Sequence, residues 1–208
     1  PARRRNGNGI SFQRIEMGIS FQRIGASRSS GERGTLRRMA LRHPRYCDVS
    51  FPPYRFIPGT APHPVAHPSG HSYRPPGEPE PDVAGVAPDQ WRDSVDYLYG
   101  CDLYNHGYWW EAHEAWEGLW RVTAKPSVQH SFLQGLIQVA AAHMQVHLGK
   151  IEGVRRLRES SRRHLAPALE IAGAGSYIGV SLAAWVTALD AYWAGILSSP
   201  EIAHHEAE

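Results

Sequence analysis

The sequence contains little cysteine and no long hydrophobic run that is free of charge. Only two of its 208 residues are cysteine, Cys47 and Cys101, which is too few for the disulfide framework of a secreted scaffold. No apolar run follows the basic N-terminus, so no secretory signal is predicted. The most apolar stretch, residues 178–197, contains Asp190, and a central charge costs roughly 2.5–3.5 kcal/mol in a membrane span. We therefore predict a cytoplasmic protein without membrane association, and an amphipathic core helix in this stretch.

The positive charge of the chain is concentrated at its N-terminus. Residues 1–38 contain nine arginines and two glutamates, a net charge of +7, whereas residues 91–197 contain nine basic and ten acidic residues. Nucleic-acid binding is therefore not expected of residues 91–197. Binding of RNA or phosphate by the basic N-terminal segment stays open as a weaker alternative.

Residues 1–43 are predicted to form a disordered tail, because they are rich in arginine, glycine and serine and lack periodic apolar positions. They contain a seven-residue direct repeat, at residues 9–15 and 18–24. The composition changes soon after Met39, which offers an alternative start of the chain. Whether residues 1–38 are translated therefore stays open.

Residues 44–87 are dense in proline, so they cannot form a helix or a central strand, and we predict an extended arm. The arm also carries aromatic residues and histidines, which a purely flexible linker seldom contains. We expect it to lie along the surface of the domain that follows. Residues 198–208 are predicted to be a flexible C-terminal tail.

Residues 88–197 show helical periodicity and predict an all-α domain. The pattern indicates about five helices joined by short loops, which favours an antiparallel bundle. The predicted helices cover about 88–104, 108–123, 127–148, 151–172 and a last segment ending near 197, with Pro167 expected to kink or split the fourth. Five arginines of the fourth helix predict a solvated charged face, with Glu152 pairing with Arg156 and Glu159 pairing with Arg163.

The second predicted helix carries the pair that points to chemistry. His113 and Glu117 are four residues apart, so their side chains can meet on one helix face, beside tryptophans. Three interpretations fit this spacing. The pair can supply two metal ligands, Glu117 can orient His113 for proton transfer, or the two can form a buried structural pair with Arg121 bound to Glu117 one turn further on.

Candidate neighbours of the pair lie on the second and third helices. Gln134 and Gln138 are one turn apart and would need hydrogen-bond partners if buried, which the His113–Glu117 pair can supply. His143 and His147 are also four residues apart and form a further candidate pair of metal ligands. Glu114 and Tyr108 adjoin the motif in the sequence.

Residues 102–121 and 132–140 resemble the domain of unknown function 309 family, which consists of small helical proteins of bacteria and archaea. His113, Glu117 and Trp120 match the family's His-xxx-Glu-xx-Trp/Tyr motif, and residues 134–138 match its Gln-Gly-Leu-Ile-Gln string. The resemblance implies a helical fold and a motif that has been suggested to bind metal. It implies no established activity.

The leading hypothesis is a helical protein that binds a divalent metal ion of unidentified kind, with hydrolysis as its reaction if it is an enzyme. Its ligands would be His113 and Glu117. The supporting residues would be Glu114, Trp120, Tyr108, Gln134, Gln138 and His143, and the arm histidines His63 and His71 would complete the site if the arm folds back. The alternative is a non-enzymatic interaction module, with a protein partner or a second copy of the chain, in which the pair is structural. Any small-molecule ligand stays unspecified.

Overall fold

The computed structural model describes residues 45–198, and the predicted tails lie outside these residues apart from Ser198. The described part is helical, without a strand. A short 3-10 helix at Pro88–Asp93 is followed by α1 (Val95–Asn105), α2 (Trp109–Val122), α3 (Val128–His147), α4 (Ile151–Ala172) and α5 (Leu182–Leu197). The predicted all-α bundle is confirmed.

Local sequence signals explain where the helices begin and end. The Ser94 hydroxyl accepts a hydrogen bond from the Tyr97 amide (3.3 Å) at the start of α1. At the start of α3, the Ser127 hydroxyl accepts one from the His130 amide (3.0 Å). Both are N-caps that satisfy otherwise free helix donors. Gly149, with a φ of 66°, follows the end of α3 in the left-handed conformation that glycine allows.

The prediction that Pro167 kinks or splits the fourth helix is wrong in its stronger form, because α4 continues from Ile151 to Ala172 with Pro167 inside it. Leu165 and Ala168, on either side of the proline, are buried. Their packing holds α4 together although the proline removes one backbone hydrogen bond.

Consecutive helices pack against each other, and a single core of apolar side chains runs between them. Trp116 of α2 is completely buried and lies against α1, where its ring is 5.8 Å from that of Tyr104. Gly100 permits this approach, because a Cβ at its position would lie 2.3 Å from Trp116 Nε1. Helices α1 and α2 are therefore closer than a larger residue at position 100 would allow.

Helix α5 begins at Leu182, four residues after the start of the apolar stretch 178–197. Tyr177 and Val180 exchange two backbone hydrogen bonds of 3.0 Å, and Ile178 and Gly179 between them have φ values of 44° and 76°. This tight turn precedes α5. Asp190, the charge within the apolar stretch, pairs with Arg158 (3.2 Å) and Arg162 (3.6 Å) of α4. None of the helices in residues 45–198 is long and apolar enough to cross a lipid bilayer.

The charged face of α4 forms one of its two predicted ion pairs. Glu159 and Arg163 lie 3.2 Å apart. Glu152 pairs with Arg155 (3.1 Å) rather than with Arg156, because residues three apart on a helix are also neighbours. All four of these side chains are largely exposed, so the pairs contribute little to stability.

The proline-rich arm lies on α1 and α2, and a buried carboxylate holds its beginning. Asp102 of α1 is completely buried. It accepts hydrogen bonds from Arg45 Nε (3.0 Å), from the Tyr46 amide (2.9 Å) and from the Cys47 amide (3.1 Å). The arm is thus attached to the bundle partly through the backbone N–H groups of Tyr46 and Cys47, which a proline at either position would lack.

Candidate metal site and adjoining cleft

Helix α2 divides its side chains between the core and the surface. Ala112, Trp116 and Leu119 are buried in the core. His113 and Glu117 lie on a different side of the helix, and their side chains are 25% and 28% exposed. Both side chains of the pair are therefore partly exposed and keep access to water.

Three side chains of α2 bring metal-ligand atoms together. His113 Nδ1 lies 3.1 Å from Glu114 Oε1 and 3.9 Å from Glu117 Oε2. One ligand atom from each of these residues lies within 4.8 Å of the other two. The predicted contact of Arg121 with Glu117 is also present, at 2.9 Å. It raises the pKa of Arg121 and engages Oε1 of Glu117, while Oε2 faces His113.

Two ring contacts between α2 and α3 define the relative direction and alignment of the two helices. The rings of Trp120 and His130 make a tilted contact at a centroid distance of 4.7 Å, and the Trp109 ring stacks on His143 at 4.9 Å. The end of α2 therefore meets the start of α3, and the helices are antiparallel. In this antiparallel alignment, His113 lies at about the same height along the helix axes as Gln138, and Glu117 at about the same height as Gln134.

The expected hydrogen bonds from the glutamines to the motif pair are absent from the described part of the chain. His113 is bonded to Glu114, and Glu117 to Arg121. The Oε1 atom of Gln138 is buried there without a hydrogen-bond partner, and so is Nε1 of Trp120. The side chains of the pair are satisfied within α2, which is why they do not reach across to α3.

His143 does not join the candidate metal ligands, contrary to the prediction. Its Nε2 lies 3.0 Å from the Tyr104 hydroxyl, and its ring is surrounded by aromatic rings of α1, α2 and α5. These rings belong to Tyr104, Trp109, Tyr192 and Trp193. Burial lowers the pKa of His143 to about 3, so the imidazole is neutral in the folded protein. It is a core residue, and its neighbour His147 contacts the same Trp109 ring.

We expect the folded protein to lose stability in acid because of His143. Its pKa is near 6.5 when unfolded and about 3 when folded, so the unfolded chain binds the extra proton and stability falls as the pH drops from 6.5 towards 3. The loss amounts to about 3 kcal/mol between pH 7 and pH 4. Urea unfolding at both pH values measures it, and His143→Gln should reduce the difference by about 3 kcal/mol. An unchanged difference in the variant would contradict this assignment.

The arm histidines contact α2 one turn before the candidate ligands. His71 Nε2 lies 3.1 Å from Glu111 Oε1, and both side chains are about 95% buried. The same oxygen accepts a hydrogen bond from the Phe56 amide (2.8 Å). His63 packs on the Trp110 ring at 5.5 Å. In the structure the arm thus brings His63 and His71 against Trp110 and Glu111, and neither belongs to the group formed by His113, Glu114 and Glu117.

Tyr108 also supports the arm rather than the metal ligands. It directly precedes α2, and its ring stacks on Phe51 of the arm at 5.0 Å. Asp102 and Glu111, the two carboxylates that hold the arm, were not singled out from the sequence. The sequence did indicate them, because each carboxylate interrupts a run of apolar or aromatic residues in a predicted helix. A carboxylate buried in this way requires hydrogen-bond donors from elsewhere in the chain.

A cleft of about 640 Å³ lies between the arm and α2, with α1 at its base. We call it the arm cleft. Its walls contain seven carboxylates, against two arginines and one histidine. The carboxylates are Glu78, Glu80, Asp82, Asp96, Glu111, Glu114 and Glu117. The volume is typical of a ligand site, and the charge favours a cation.

Residues 97–157 match the family described as a domain of unknown function, DUF309. This part of the chain is therefore similar to the DUF309 family. The resemblance seen in residues 102–140 is therefore confirmed. The match begins in α1 and ends in α4, so the matched region includes His113, Glu114 and Glu117, whereas the arm lies before it. Comparisons with curated proteins and with solved structures give no match.

Proposed function

We propose that this protein binds a divalent metal ion through His113, Glu114 and Glu117. The observation that carries the proposal is the grouping of one imidazole nitrogen and two carboxylate oxygens within 4.8 Å on the accessible side of α2. Nitrogen and oxygen donors of this kind suit zinc and other first-row divalent ions. The seven carboxylates of the adjoining arm cleft favour a cation at its mouth.

The ligand number also supports a reactive rather than a purely structural site. Three protein ligands leave coordination positions open, as in catalytic zinc sites. A divalent ion bound in such a site lowers the pKa of a coordinated water and so supplies a nucleophile. Hydrolysis is therefore the reaction class that we propose.

Calorimetric titration of the metal-free protein with Zn²⁺ tests the proposal. We expect one binding event per chain, and we expect His113→Ala to weaken it at least about tenfold, because a ligand is lost. Arg121→Ala should strengthen it, since Glu117 loses a competing cation. His164→Ala is the matched control, because His164 is a half-buried helical histidine on α4 and should leave zinc binding unchanged.

Two results would contradict the metal proposal. One is the absence of zinc binding to the unchanged protein, and the other is equal loss in the His113 and His164 variants. If His113→Ala instead lowered only the thermal midpoint, the pair would be structural, and the non-enzymatic interaction module would become the better interpretation.

A further inference from the structure

The arm cleft has two facing rows of carboxylates that one metal ion cannot engage together. Glu111, Glu114 and Glu117 span about 9 Å along α2, at 1.5 Å per residue. On the opposite wall, the row of Glu78, Glu80 and Asp82 is up to about 13 Å long, because the arm has no helix there. A metal ion gathers its ligands within about 2.6 Å of one point. The rows therefore suit a ligand whose positive charge is distributed along its length.

The side chain of Arg121 already places one positively charged group in the arm cleft. The guanidinium of Arg121 lies 2.9 Å from Glu117 on the α2 wall and 3.4 Å from Glu80 on the arm wall. It bridges the two rows. Within residues 45–198, Glu78, Asp82 and Asp96 form no ion pair that would compensate their charge in the same way. The walls can thus bind a nitrogen cation between them, and three of the seven carboxylates, Glu78, Asp82 and Asp96, have no ion pair among the described residues.

Glu111 provides a second and independent indication of a ligand. Its side chain is only 4% exposed, and it lines the arm cleft. Oε1 accepts hydrogen bonds from the Phe56 amide and His71, whereas Oε2 has no hydrogen-bond partner among the described residues. A buried carboxylate oxygen without a donor is costly. An ammonium group of a ligand would supply the missing donor.

The lining of the arm cleft also includes apolar side chains. Val65, Pro75, Pro76, Val83 and Leu103 line it together with the carboxylates. Aliphatic surface of this kind favours methylene groups, because it removes them from water. We propose that the arm cleft binds a linear polyamine, an aliphatic chain with several ammonium groups. The ammonium groups would pair with the two rows, of which Glu111 is part, and the methylenes would cover the apolar side chains of the lining. This site shares Glu114 and Glu117 with the proposed metal site, but His113 does not line it.

Calorimetric titration of the 208-residue chain with spermidine, in buffer containing EDTA, tests the polyamine site. We expect saturable binding that weakens with salt. The triple variant Glu78→Gln, Glu80→Gln, Asp82→Asn should bind about tenfold more weakly, because three exposed ion pairs are lost. Glu111→Gln keeps an acceptor for the Phe56 amide and should also bind at least about fivefold more weakly.

A triple variant of α4 controls for net charge alone. Glu152→Gln, Glu159→Gln and Glu170→Gln remove three exposed carboxylates from a helix that does not line the arm cleft, so spermidine affinity should change less than about twofold. His113→Ala should retain spermidine binding while it loses zinc, which separates the two proposals. No saturable binding, equal loss in both triple variants, or loss of spermidine binding in His113→Ala would overturn the polyamine site.

Discussion

Gly100→Ala should destabilise the protein by about 2–3 kcal/mol, although alanine is the better helix former. The new Cβ would lie 2.3 Å from Nε1 of Trp116 and 2.6 Å from its Cδ1. Trp116 is completely buried, so its ring cannot move away without displacing the core between α1 and α2. Urea unfolding followed by far-ultraviolet circular dichroism measures the change in the free energy of unfolding.

Gly195→Ala is the matched control, because it makes the same substitution inside α5. A Cβ there has no atom within 4 Å. The variant should gain about 0.5–1 kcal/mol from helix propensity alone. If both alanine variants were stabilised, helices α1 and α2 would not pack as closely as described.

Asp102→Asn should release the beginning of the arm and reduce stability by about 3 kcal/mol. The buried carboxylate accepts hydrogen bonds at both oxygens, from Arg45 and from the Tyr46 and Cys47 amides. In either orientation an asparagine amide would place an NH₂ group against a backbone N–H. The loss cannot exceed the free energy of docking the arm, because the arm can leave and hydrate its donors. Urea unfolding measures the loss of stability.

Limited proteolysis shows whether the arm has been released. In Asp102→Asn the protease should cut between residues 45 and 87 faster than in the unchanged protein, while the helices stay protected. Asp96→Asn is the control, because Asp96 lies exposed on the same helix and should change neither stability nor cleavage. Equal cleavage of all three proteins would show that Asp102 does not hold the arm.

The sequence predicts the helices better than it predicts what the arm contacts. Helix α2 could be located from its spacing and from the proline that follows, because both are local signals. The contacts of Asp102 and Glu111 join residues about 55 positions apart. No periodicity encodes such pairs, so the partners of the arm become visible only in the folded chain.

The candidate metal site was only partly predictable for a similar reason. His113, Glu114 and Glu117 lie within five residues on one helix, so helix geometry alone brings them together. In the sequence, His143 resembled a metal ligand as closely as His113 did, because it lies in a predicted helix four residues before a second histidine. Its surroundings are set by Tyr104, Trp109 and Trp193 on three other helices, and these make it a neutral core residue instead of a ligand.

Elemental analysis by mass spectrometry tests most directly whether this protein binds metal through α2. Tag-free protein and its His113→Ala, Glu117→Ala double variant would be equilibrated with Zn²⁺ and then dialysed extensively. We predict about one zinc per chain in the unchanged protein and almost none in the double variant, with both proteins folded by circular dichroism. Equal zinc content in the two proteins, or none in either, would contradict a metal site on α2.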